Sequence, residues 1–223
     1  MLKVIARIQT DFDEKFGVPR QGRLAPETFG RIVFEPEFRD VNSVCGMEGF
    51  SHLWVIWGFS ENRHNRFSPT VRPPRLGGNK KMGVWATRSP YRPNPIGLTC
   101  VRIESGEITK DGPVINISGI DMVNNTPVYD IKPYIRHVDS IEDATSGFAG
   151  EYADYCLTVH IDDELLNLIP VQKRAALIKV LSLDPRPSYI QDEDREYGVS
   201  FVGFNIRFRV KDSELFVYDI LNS

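Results

Sequence analysis

The sequence predicts a mainly β chain: a β-barrel or sandwich followed by a small α+β unit. Three observations carry this reading. Short alternating or continuously apolar stretches follow one another closely up to Ile135, with almost no helical periodicity. The 17 glycines and 15 prolines interrupt the chain often, as a turn-rich fold requires. Beyond Arg136 the pattern changes to a polar segment, then helical faces, then a last alternating run.

Leu2–Gln9 sets Val4, Ala6 and Ile8 against Lys3, Arg7 and Gln9 and reads as a strand. A polar loop, Thr10–Ala25, contains Pro19-Arg20-Gln21-Gly22, and Gly30–Glu35 is the next strand. Asp40–Cys45 reads as a helical turn. His52–Phe59 is apolar and aromatic throughout, the mark of a buried central strand. Pro69, Pro73, Pro74, Gly77 and Gly78 forbid a long helix or central strand in the stretch that follows. Met82–Thr87 reads as a strand, Leu98–Ile108 and Pro113–Asp121 as a hairpin around Lys110-Asp111-Gly112, and Pro127–Ile135 as a further strand. Asp139–Gly150 is polar, with small residues, and reads as a linker. Tyr155–Ile161 is the next strand. Asp162 is the N-cap of a helix through Ile169, and Pro170 opens a second helix through Leu183. Val199–Lys211 reads as one long strand, with Phe201, Gly203, Asn205, Arg207 and Arg209 on one face and Val202, Phe204, Ile206, Phe208 and Val210 on the other. Glu214–Leu221 closes the last hairpin. The expected division is 1–138, a linker at 139–151, and a small α+β unit at 152–223.

Composition narrows the function classes. Apolar residues make up 41% and charged residues 26%, within the globular range. No apolar run approaches the ~20 residues that cross a bilayer. The N-terminus becomes charged within a few residues, so it does not read as a secretory signal. The three cysteines are scattered without a CxxC pair, which points to a reducing, cytoplasmic setting. Neither they nor the four histidines have metal-ligand spacing, so no metal is expected.

The net charge of -3 conceals an asymmetry. No Asp or Glu lies between Asn62 and Ile103, a stretch that carries Arg63, Arg66, Arg72, Arg75, Lys80, Lys81, Arg88, Arg92 and Arg102. Those nine cations leave the rest of the chain at -12. A solvated face usually mixes both signs, whereas this one suits an anionic partner. Phe67, Trp85 and Tyr91 lie among the cations and can stack on bases, as in binders of single-stranded nucleic acid. Charge alone leaves RNA, DNA and phosphorylated metabolites undistinguished.

The sequence contains no GxGxxG between strand and helix, no GxxxxGK[ST] and no GxSxG, which disfavours common nucleotide sites and a hydrolase serine. His64 sits beside Asn65 in a polar loop and reads equally well as a surface or a site residue. Three loops place planar or charged donors on irregular backbone. The first is Pro19-Arg20-Gln21. The second is Ala86–Gly97, in which three prolines and a glycine fix Arg88, Arg92 and Asn94 and lower the ordering entropy of binding. The third is Asp121–Pro127, where Asp121 can accept from ribose hydroxyls or an amine. Asp130 and Lys132 alternate on one strand face and can pair with each other.

At these loops the chain becomes recognisable. ATRSPYRPNPIG, DMVNNTPVYDIKPY and TVRPPRLGGN resemble the TsaA-like domain of the bacterial tRNA adenine-37 N6-methyltransferase family (TrmO). The likeness covers Leu2–Ile135, and DPRPSY with FNIRFRV is similar to that family's C-terminal extension. The resemblance implies a β-barrel-like domain using S-adenosyl-L-methionine. It implies a tRNA anticodon loop as partner, with an adenosine 37 that already carries N6-threonylcarbamoyl, and a homodimer. Carried over by motif, cofactor contacts fall on Arg20, Gln21, Gly22, His64, Asn65, Arg88, Leu98, Asp121, Met122, Val123 and Asn124. Asp130 and Asp121 are the candidate bases, and Arg75, Lys80, Lys81, Arg92 and Asn94 would face the substrate. The family often has Asp-Gly where this chain has Asn124-Asn125. A main-chain contact survives that change, while one needing a carboxylate does not. The alternatives are an RNA-binding module without catalysis, or a methyltransferase acting on another anionic substrate.

On this reading tRNA binding is steeply salt-dependent. Neutralising Lys80 and Lys81 together is expected to flatten the slope of log K against log salt by about one to two units and to leave cofactor affinity unchanged. Filter binding across a salt series measures this, and a slope equal to the parent's would remove both lysines from the RNA surface.

Overall fold

A computed structural model describes residues 2–61, 67–73, 76, 80–186 and 195–222. Its strands are β1 (Ala6–Thr10), β2 (Phe29–Phe34), β3 (His52–Gly58), β4 (Thr70–Val71), β5 (Met82–Gly83), β6 (Ile96–Thr109), β7 (Gly112–Ser118) and β8 (Thr126–Pro133), followed by the short α1 (Arg136–Asp139). Six of these strands close an antiparallel barrel in the order β1-β2-β7-β6-β3-β8. Inward-facing side chains meet in register around the wall: Ile8 opposes Ile32, Ile32 opposes Ile115, Ile117 opposes Ile103, Val101 opposes Leu53, and Val128 opposes both Trp57 and Ala6. Closure leaves no free edge, and the period-two alternation puts these apolar residues inside. The apolar run predicted as a central strand is β3, paired on both sides.

Two close approaches shape one end of the barrel. A Cβ on Gly97 would lie 2.2 Å from Trp57 Cε2, so the glycine lets the indole lie against β6. A Cβ on Gly22 would lie 1.9 Å from the Gly119 carbonyl oxygen, so two backbones touch there without side chains.

The second unit holds β9 (Thr158–His160), α2 (Asp163–Leu166), α3 (Val171–Ser182), β10 (Tyr197–Phe201), β11 (Phe204–Lys211) and β12 (Glu214–Asn222). Its sheet runs β10-β11-β12-β9, with β9 parallel to β12. Ala176, Leu177, Val180 and Leu181 of α3 join the same buried core as Ile206, Phe208, Val210 and Leu215. The segment after β1 ties the two units together. Phe12 meets Phe201 with ring centroids 5.7 Å apart, Lys173 pairs with Asp11, and the Val202 amide donates to the Asp11 carbonyl.

Several expectations need correction. The long strand predicted over Val199–Lys211 is two strands, turned at Val202-Gly203, both with positive φ. A two-residue turn switches which parity faces the core: Tyr197, Val199 and Phe201 are buried before it, and Ile206, Phe208 and Val210 after it. Alternation therefore continues through the turn and hides it. The strand predicted over Met82–Thr87 ends at Gly83, and Val84–Ala86 is a 3-10 turn because the Val84 carbonyl accepts from Thr87. The helix predicted from Asp162 through Ile169 covers only Asp163–Leu166, and Asp162 makes no side-chain cap. Pro170 does open α3. Asp40 caps the turn predicted at Asp40–Cys45 by accepting from the Asn42 amide.

Gly97→Ala is expected to overpack the Trp57 contact and to destabilise the chain by about 1–3 kcal/mol. Gly83→Ala, where an added Cβ meets nothing within 4 Å, is the control and should stay within about 0.5 kcal/mol of the parent. Urea unfolding midpoints measure both.

Candidate functional site

A cavity of about 520 Å³ opens at the barrel end formed by these two glycine contacts, a volume ordinary for a small-molecule site. Its walls come from the segment after β1 (Lys15, Val18, Pro19, Arg20, Gln21), the end of β3 (Trp57 to Glu61), the proline-rich loop with the start of β6 (Arg88 to Thr99), and the turn into β8 (Asp121, Val123, Thr126).

Asp121 organises one wall. Its Oδ1 accepts the Thr99 hydroxyl at 2.6 Å and its Oδ2 accepts the Gly22 amide at 3.1 Å. The Thr99 oxygen in turn accepts the Trp57 indole N–H at 3.0 Å. This chain fixes the indole, the hydroxyl and the carboxylate in sequence. Burial pushes the Asp121 carboxyl up from 3.8 to about 6, against the pull of Thr99, Gly22 and the Arg88 charge. Arg88 donates to the Gln21 side-chain oxygen, and the Gln21 amide nitrogen donates to the Arg20 carbonyl. Arg20 donates to the Arg186 carbonyl. Arg186 is itself gripped by the buried Asp184 carboxylate through Nε at 2.8 Å and Nη2 at 3.0 Å. Although burial opposes ionisation of Asp184, Arg186 outweighs it and holds the carboxyl below its usual range.

Of the residues expected to contact a cofactor, Arg20, Gln21, Arg88, Leu98, Asp121 and Val123 line this cavity, and Gly22 supports Asp121 from behind. The structure places Met122 in the core, 1% exposed. Asn124 is tied to the segment after β1: its side-chain oxygen accepts the Thr10 amide, and its own amide donates to the Phe12 carbonyl. Its neighbour Asn125 takes positive φ, a conformation that asparagine tolerates better than most residues. His64, Asn65 and Arg75 lie outside the described residues.

Among the residues expected to face substrate, Arg92 lines the cavity, and its Nη2 donates to the Val84 and Thr87 carbonyls. Lys80, Lys81 and Asn94 are exposed and do not line it. Asp130 pairs with Lys132 at 2.8 Å and does not line it either. The carboxylates at the cavity are Asp121 and Glu61. The sequence reading missed Trp57, Thr99 and Glu61. Thr99 left a signal: it is a polar residue at an inward position of β6, two before Val101. Among the described residues, no group of three or more His, Cys, Asp or Glu is placed to hold a metal, and no helix is long and apolar enough to cross a membrane.

The donor set suits S-adenosyl-L-methionine. A carboxylate acceptor, two guanidinium groups and the apolar surfaces of Trp57, Leu98 and Val123 answer its hydroxyls and amine, its carboxylate and its adenine. Residues 7–140 match the family model described as the tRNA-methyltransferase O N-terminal domain, and residues 156–223 match the TrmO C-terminal domain.

The chain belongs to the tRNA-methyltransferase O family.

Membership makes it a methyltransferase. It is similar to the tRNA (adenine(37)-N6)-methyltransferase of Escherichia coli K12, at 38% identity over 96% of this chain and 94% of that one. A human protein of the same description is 43% identical over 61% of this chain and 30% of its own length, so that likeness is confined to the barrel portion. A crystal structure of TrmO superposes with a TM-score of 0.80 at 29% identity, covering 100% of this chain and 99% of the other. TrmO from Pseudomonas aeruginosa gives 0.78 at 30% identity, covering 100% and 98%.

The raised Asp121 pKa has a definite sign in stability. Below about pH 4 both folded and unfolded carboxyls are protonated. Between about 4 and 6 the unfolded chain ionises first, so stability falls as pH rises, by on the order of 3 kcal/mol at most. Asp121→Asn lacks that term. Its stability relative to the parent should therefore climb between pH 4 and pH 7, as read by denaturant melts, and a flat difference would place the carboxyl in a watery setting.

Proposed function

We propose that the chain transfers the methyl group of S-adenosyl-L-methionine to the exocyclic N6 of adenosine 37 in tRNA, and that this adenosine already carries N6-threonylcarbamoyl. The observation that carries the reading is a mixed apolar and charged cavity walled by Asp121, with the acid-free basic loop at its side. The match over both family models supports it.

Arg20, Arg88, Asp121, Trp57, Leu98 and Val123 are the residues that would hold the cofactor. When bound, it supplies a methyl group on a good leaving group, so the protein's main task is positioning. Asp121 enters binding pre-aimed, because Thr99 and Gly22 fix both of its oxygens. The prolines around Arg88 and Arg92 keep that loop from reorganising. N6 of the substrate has its lone pair delocalised into ring and carbonyl, so its proton must leave during transfer. With Asp130 paired to Lys132 outside the cavity, Asp121 and Glu61 are the carboxylates placed to receive it, directly or through water. Cations of the Asn62–Ile103 stretch would meet the threonyl carboxylate and the phosphates. The same reading makes the chain a cytoplasmic homodimer, with its catalytic barrel in 1–138 and a separate C-terminal unit after 139–151. A boundary there agrees with family models that end at 140 and resume at 156.

Mass spectrometry of tRNA nucleosides tests the reading. Deleting the gene should abolish the N6-methylated threonylcarbamoyladenosine and leave its unmethylated form. Restoring Arg88→Ala should recover at most a tenth of the product, whereas Arg102→Ala, an exposed partner of Glu104, should recover nearly all of it. An unchanged nucleoside profile on deletion would favour the RNA-binding module without catalysis.

A further inference from the structure

Trp85 lies outside both the core and the cavity wall. It is 66% exposed, in a loop held more rigidly than an idle surface turn needs to be. Its neighbour Val84 is fully buried. The Val84 amide donates to the Pro69 carbonyl, and its own carbonyl accepts from the Thr87 amide, the Thr87 hydroxyl and Arg92 Nη2. The Arg92 guanidinium lies 5.1 Å from the Trp85 ring centroid. Phe67, half-exposed, stacks beside the indole with centroids 5.9 Å apart at 27°. The backbone, one cation and one ring thus hold a large π-surface towards solvent.

We propose that Trp85, with Phe67 beside it and Arg92 against its ring, is a stacking shelf for an unpaired base next to the target adenosine in the RNA loop. The occupant follows from charge and place. The shelf belongs to the stretch that carries nine cations and no acid, so a polyanion is favoured over an apolar protein face. Arg92 touches the indole and also lines the cavity, so a strand whose target base enters the cavity would bring its neighbour to the shelf. A nucleotide drawn out of its stack needs such a surface for the base it leaves behind. The inference rests on the proposed tRNA substrate.

The test is binding of an anticodon stem-loop RNA, with cofactor affinity measured in parallel. Trp85→Ala should bind the RNA roughly 10- to 100-fold more weakly, the range for one lost base–aromatic stack. Trp85→Phe should keep most of the affinity, and Trp85→Leu, apolar without a π-face, should resemble Trp85→Ala. Cofactor affinity should be unchanged in all three. An abasic nucleotide at one position flanking the target should weaken binding to the parent but not further weaken Trp85→Ala. Parent-like RNA affinity in Trp85→Ala overturns the shelf while leaving the tRNA reading intact. A parent chain that does not bind the stem-loop overturns both. Unchanged RNA affinity with altered sedimentation would assign the surface to a second copy of the chain and also overturn the proposal.

Discussion

The carboxylate of Asp121 is the constraint on which the candidate site depends. An acid so placed must be satisfied, because an unpaired buried charge costs several kcal/mol. The Thr99 hydroxyl and the Gly22 amide meet that need, and each brings a different part of the chain with it. Thr99 carries the Trp57 indole, which Gly97 admits. Gly22 carries the Arg20–Gln21 segment, and its backbone reaches Asp121 only because it passes Gly119 with no side chain between them. The site is therefore a consequence of how four barrel segments satisfy one acid.

The C-terminal unit takes part in this arrangement. The segment from Asp11 to Gln21 is a cavity wall on one side and is anchored to the later sheet on the other, through Phe12 on Phe201, Asp11 with Lys173, and Arg20 on the Arg186 carbonyl. Asp184 grips Arg186 with two charge-assisted bonds and accepts the Tyr155 hydroxyl, so the carbonyl that receives Arg20 is itself held. Loss of packing in the second unit would loosen a wall of the first. Its contribution to the cavity is rigidity as much as any contact with RNA.

Opposite that wall, the loop after β5 is fixed by a single carbonyl. Val84 oxygen accepts three donors, and this turns the chain away from the strand that its apolar residues favour. The same contact commits one nitrogen of Arg92 to the backbone, so the arginine braces the loop besides lining the cavity.

The sequence by itself determined the class of the fold, most strand positions and the three loops that meet at the cavity. Period-two alternation and the placement of glycine and proline are local properties, and barrel strands express them directly. Local pattern could not locate the turn at Val202-Gly203, since two residues preserve alternation while exchanging the buried face. Nor could it separate Asp121 from Asp130. Both are acids in or beside the same strand-forming run, and only the closed barrel sets one against Thr99 and Gly22 and leaves the other to Lys132. The same holds for Trp57 and Trp85: one fills the end of the barrel and the other faces solvent. Which neighbours a side chain meets depends on register and closure between distant segments, and those are properties of the tertiary structure alone.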